Sequence, residues 1–153
     1  MKGHDSMKKY VPADGLNEPR FSGIKTFMRL PHVKTTDDID FAVVGVPFDN
    51  ACNYKVGARF GPTAIREASC LMKSYNLSLK VDTFKYLSGV DYGDVSVVPG
   101  DIMKTYDNIK STLQPLVDKG VMPVVMGGDH SITLGELRAV AEKYGPVALM
   151  HFD

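Results

Sequence analysis

The sequence has no tryptophan and only two cysteines, Cys52 and Cys70. They lie far apart and outside any CxxC spacing, so neither a disulfide framework nor a cysteine zinc site is expected. Each reads as a small buried or half-buried thiol. Charge of either sign is not in excess: Lys+Arg and Asp+Glu both count 18. A basic footprint for nucleic acid or an anionic membrane is therefore missing. The pair Lys8-Lys9 is the only short basic cluster, and it reads as part of a solvated tail. No stretch approaches the ~18 consecutive apolar residues of a membrane helix. The opening MKGHDSMKKYVPADG lacks a signal-peptide core, so a cytoplasmic protein is expected. Neither GxGxxG, a Walker A loop nor GxSxG occurs, which argues against a nucleotide-binding α/β domain and against serine hydrolase chemistry.

What is present is ordinary globular material: 44% apolar residues in a chain of 153, enough for one core. Residues 1–38 carry Pro12, Gly15, Pro19, Gly23 and Pro31 and read as an N-terminal arm. Its aromatics Tyr10, Phe21 and Phe27 imply that it packs on something. Residues 39–153 alternate apolar runs with helical periodicity. FAVVGV (41–46) reads as a buried strand, 86–91 as a weaker one, VMPVVM (121–126) as a third and VALMHF (147–152) as a fourth. Helices are expected over 63–76, 101–119 and 133–144. Asp101 is placed to cap the second helix, and Gly120 to close it. This order predicts an α/β fold, a parallel sheet covered on both faces, with ligands at the carboxyl ends of the strands.

Two polar sets fall at such ends. In MGGDHS (126–131) a strand runs into two glycines and then Asp129, His130 and Ser131. His130 reads as a ligand for a divalent metal or as a polar rim residue, with Asp129, Ser131 or Thr133 capping the next helix. In HFD (151–153), Asp153 follows an apolar run directly and reads as a metal-binding carboxylate or a loop-start residue. His151, if its strand is buried, reads as a hydrogen-bonded core histidine or as one that supports a neighbouring metal ligand, rather than as a ligand itself. If the third and fourth strands are neighbours, ~4.8 Å apart, His130 and Asp153 reach one metal together. The loop of 48–61, with Arg59 and Arg66 nearby, reads as an anion cradle or as a shaped active-site or interface loop. Asp91, Asp94 and Asp101 read as turn and cap residues.

Taken in order, GVPFD (45–49), GARFGPTAIREAS (57–69), GGDHS (127–131) and HFD (151–153) resemble the motifs of ureohydrolases, the family of arginase and agmatinase. SGIKTFMRLP (22–31) is similar to the agmatinase and guanidinobutyrase branch. The resemblance implies a three-layer α/β/α fold, arginase-like and here truncated, with a two-manganese centre. It implies His130 and Asp153 as metal ligands and His151 as a non-ligand. It implies hydrolysis of agmatine to urea and putrescine by a hydroxide between the two metals, or the corresponding reaction of a guanidinobutyrase or another amidinohydrolase. It further implies a homo-oligomer, trimer or hexamer, acting on a small guanidino substrate without nucleic acid or membrane. The family's DAHxD motif is entered only at Asp153, and its later aspartates do not occur in this sequence. The chain is thus expected to be the N-terminal half of such an enzyme, inactive alone, or else an inactive partner subunit.

Overall fold

The computed structural model describes residues 8–152. Strand β1 (Phe41–Gly45) is apolar throughout because both of its faces are covered: Ala42, Val43 and Val44 have no exposed surface. It lies at the centre of a three-stranded parallel sheet, between β4 (Gly89–Asp94) and β5 (Met122–Met126). The pairings run from Phe41↔Gly89 to Gly45↔Asp94, with a bulge between Val43 and Val44, and from Phe41↔Met122 to Gly45↔Met126. All three carboxyl ends therefore meet at one rim.

Successive residues of a strand point to opposite faces, and β1 builds one core on each. Ala42 and Val44 face helices α2 (Ile102–Lys119) and α3 (Thr133–Tyr144), joining Val90, Ile109, Leu113, Leu116, Ile132 and Ala139. Val43 faces a smaller cluster with Leu30, Phe84 and Met126. On that side helix α1 (Gly61–Ser69) packs against the 3-10 turn Phe27–Arg29 of the arm. The result is three layers, α/β/α, as expected.

The arm is tied down by its backbone. Gly89 N donates to Tyr10 O, Asp91 N to Pro31 O, and Phe27 N to the Asp91 carboxylate. Tyr10 and Phe27 are half-buried, while Phe21 stays 84% exposed and contributes nothing to the packing.

Capping in α2 agrees with the sequence. Asp101 Oδ1 accepts from Lys104 N at 2.9 Å, and Gly120 takes φ 78°, the left-handed conformation of a helix C-cap. Helix α3 begins and ends where its periodicity does.

Three expectations are corrected. Helix α1 ends at Ser69 rather than continuing to 76. Leu71 and Met72, within the expected span, are exposed, and the Arg20 guanidinium donates to Leu71 O just past the helix end. The chain then forms an antiparallel hairpin, β2 (Tyr75–Asn76) and β3 (Val81–Asp82). The second strand of the main sheet starts three residues later than expected. Ser88 N donates to Asp40 Oδ2 and Ser88 O accepts from Asp40 N, which fixes the register so that Tyr86 and Leu87 fall in the preceding turn. Residues 147–152 form no strand: all are exposed and none pairs with β5. An apolar run signals what can be buried, and β5 supplies only an edge, with no layer to cover a new neighbour on both faces.

Candidate functional site

The rim at the carboxyl ends is assembled from the turn after β5 and the loop after β1. Phe48 O accepts from Asp129 N at 2.8 Å, and Val46 N donates to Met126 O at 2.9 Å, so the two segments are laced together. The approach is close enough to require glycine. A Cβ at Gly61 would lie 2.6 Å from Gly127 O, and one at Gly128 would lie 2.5 Å from the carbonyl oxygens of Val46 and Phe48.

Asp129 organises the turn after these glycines. Its Oδ1 accepts from Ser131 N (2.9 Å) and Ser131 Oγ (2.5 Å), capping the 3-10 turn His130–Ile132 that leads into α3. Its Oδ2 accepts from Ala51 N at 2.9 Å, fastening the turn to the loop after β1. His130 therefore projects from a turn held at both sides. Its ring is exposed and makes no hydrogen bond among the described residues. It meets the ring of His151 edge-on, with centroids 4.5 Å apart.

The loop of 49–61 is shaped by a second carboxylate. Asp49 has no exposed surface; it accepts from Gly57 N (2.7 Å), Arg59 N (3.2 Å) and Arg59 Nε (2.6 Å). The Arg59 guanidinium holds its pKa down, from 3.8 to about 2; the Gly57 and Arg59 amides add to this, and burial opposes it. Cys52 sits beside these groups. Burial, with the charges of Asp129 and Asp49, raises its thiol pKa, so it is kept protonated rather than poised as a nucleophile.

A third set lies beneath. The Arg66 guanidinium grips Asp91 with two bonds (2.7 and 2.9 Å) and reaches Asp94 with a third (2.7 Å). Burial pushes the Asp91 carboxyl up, but Arg66 and the amides of Phe27 and Gly93 outweigh it, and the net shift is downward. Both arginines of the loop region are thus engaged by carboxylates. The anion-cradle reading does not hold, and Asp91 and Asp94 are an ion-pair network rather than simple turn residues. A signal for this existed: an aspartate in mid-strand opposite an arginine on the inner face of a helix.

Of the two expected metal ligands, His130 is at the rim, and Asp153 lies outside the described residues. The core reading of His151 is corrected, because with no fourth strand it is exposed; it packs instead on the ring of His130. Among the described residues no group of three or more His, Cys, Asp or Glu is placed to hold a metal ion. One exposed imidazole whose ring nitrogens have no partner among the described residues fits a divalent metal. It does not by itself make a closed site.

The family model described as the Arginase family matches residues 39–153. The chain belongs to the arginase family. Among curated relatives of this arginase-family chain, proclavaminate amidinohydrolase of Streptomyces clavuligerus is 42% identical over 88% of this chain and 43% of its own length. Guanidinobutyrase of Pseudomonas aeruginosa is 39% identical over 94% and 46%. The chain thus spans less than half the length of these relatives. Among solved structures, a hypothetical agmatinase from Burkholderia thailandensis superposes with TM-score 0.84 at 34% identity, over 94% of this chain and 45% of that one. A Trypanosoma cruzi formiminoglutamase solved with Mn2+ has TM-score 0.66 at 25% identity, over 76% and 40%. The parallel sheet and its flanking helices are those of an arginase-family chain.

Proposed function

We propose that this chain is the N-terminal half of a manganese-dependent hydrolase that cleaves a linear guanidino group, taking agmatine and water to urea and putrescine. The observation that carries the reading is His130. Its imidazole is exposed at the carboxyl rim of the sheet beside His151, without a hydrogen bond among the described residues, on a turn fixed by Asp129, in a chain similar to amidinohydrolases along nearly all its length.

Guanidinium is resonance-stabilised and a poor electrophile, which calls for a stronger nucleophile than a neutral hydroxyl. Manganese, when bound, would supply water of lowered pKa and stabilise charge developing at the guanidino carbon. His130 and Asp153 would hold it, with further ligands from outside this chain. The chain's own part is positional. Asp49 and Arg59 fix the loop that flanks the rim, and the Asp91–Arg66–Asp94 network sets α1 against the sheet beneath it.

A second substrate, 4-guanidinobutyrate, is supported by the guanidinobutyrase relative. We propose further that the protein is a homo-oligomer, trimer or hexamer, acting in the cytoplasm on a small guanidino substrate without nucleic acid or membrane. The balanced charge offers no basic surface for nucleic acid. Urea release from agmatine and from 4-guanidinobutyrate, measured side by side on the full-length protein with added manganese, tests the reading. A higher kcat/KM for agmatine supports it, and a preference for 4-guanidinobutyrate replaces the substrate. Absence of urea from every guanidino compound, together with absence of bound manganese, leaves an inactive partner subunit.

A further inference from the structure

We infer that Asp129 is the positioning residue of the metal centre: its carboxylate, bonded to both the His130 turn and the loop after β1, sets where the His130 imidazole points. This rests on the reading of His130 as a metal ligand and deepens it. A metal-binding histidine is ordinarily oriented by a hydrogen bond from its second ring nitrogen to a carboxylate or carbonyl. Among the described residues His130 has no such bond, and its one ring neighbour, His151, belongs to an exposed segment. Orientation of the imidazole is therefore left to the backbone that carries it.

That backbone is held from two directions by one side chain. Oδ1 takes the amide and the hydroxyl of Ser131, the residue after His130, and Oδ2 takes the amide of Ala51 on the neighbouring loop. Phe48 O, accepting from Asp129 N, closes the same junction from the main chain. All three groups bonded to this side chain are donors, and the two oxygens of a carboxylate offer acceptors to all of them. Asparagine would keep one oxygen and turn an NH2 group towards a remaining N–H, setting donor against donor. Ala51 also lies two residues from Asp49, whose carboxylate shapes the rest of the loop. The two aspartates therefore fix both partners of the junction, one the loop and the other the turn.

The test uses the full-length protein with manganese as the probe. Free Mn2+ would be followed by electron paramagnetic resonance during titration of wild type, Asp129→Asn and His130→Ala, with circular dichroism to confirm the fold. For Asp129→Asn a loss of about tenfold or more in manganese affinity is expected. kcat should then return towards the wild-type value at saturating manganese, because the ligand itself is still present. For His130→Ala the activity should not return. If Asp129→Asn binds manganese as wild type does while His130→Ala does not, the positioning role is overturned and His130 stands as ligand. If both bind as wild type, the reading of His130 falls and the positioning role falls with it. If Asp129→Asn is poorly folded, Ser131→Ala carries the test, since it removes one bond to Asp129 and leaves the rest. An affinity lowered by about threefold or more supports the role, and an unchanged one overturns it.

Discussion

Asp91 and Asp49 bind their arginines in different surroundings, and the difference gives two predictions. The Asp91 side chain is 1% exposed and that of Arg66 10%, so deleting the carboxylate strands a buried cation. Asp91→Ala should cost ~3 kcal/mol or more in urea unfolding; a loss under ~1 kcal/mol would show that Asp94 alone satisfies Arg66. Asp49 is predicted to act through pH. Its pKa in the folded state lies below its ordinary value, so its contribution is fully present above about pH 4 and is lost as pH falls towards about 2. The Gly57 and Arg59 amide resonances should show a titration with a midpoint near 2, absent in Asp49→Asn. A midpoint near the ordinary 3.8 would mean that the Arg59 contact does not hold in solution. Asp49 gave no local signal of a buried partner, and the mid-strand place of Asp91 signalled a buried carboxylate without naming Arg66. Single-residue spacing shows where a carboxylate falls in a strand or turn, whereas its arginine partner is chosen by tertiary packing. The rim position of His130 and the capping role of Asp129 were legible, because a strand, two glycines and a helix start are local signals.

At the level of elements, legibility depends on how locally each one is determined. Helices α2 and α3 carry their own periodicity and a closing glycine, α2 also its own N-cap in Asp101, and both formed as expected. The hairpin of 75–82 and the early end of α1 are set by contacts distant in sequence, such as Arg20 to Leu71 O, and the apolar spacing of 71–75 points the wrong way there. The short apolar run of 147–152 could not declare a partner. Glycine positions separate two kinds of constraint. Gly120→Ala places a side chain at φ 78° in a helix cap, and should cost about 1 kcal/mol without touching the rim. Gly61→Ala drives a Cβ against the Gly127 carbonyl and should cost about 1–3 kcal/mol. Only Gly61→Ala should also weaken manganese binding in the full-length protein. Equal effects on the metal from both variants would argue against a rim built on the Gly61–Gly127 contact.

Across the whole molecule, apolar surface lies exposed along the outer strand and after α3. Met122 is 64% exposed, Met150 81% and Phe152 88%. An uncovered strand edge with apolar neighbours is a template for association. The 153-residue chain by itself should therefore self-associate with rising concentration in sedimentation velocity, and Val124→Lys, which puts a charge on β5, should reduce this. A monomer at high concentration would contradict that view of the surface.

The most direct test of the central claim is a paired measurement on the full-length protein: bound manganese per subunit and urea released from agmatine, in wild type and in His130→Ala. The account predicts that the substitution lowers manganese occupancy and urea production together while the fold is kept. Unchanged manganese and unchanged urea in His130→Ala would contradict it.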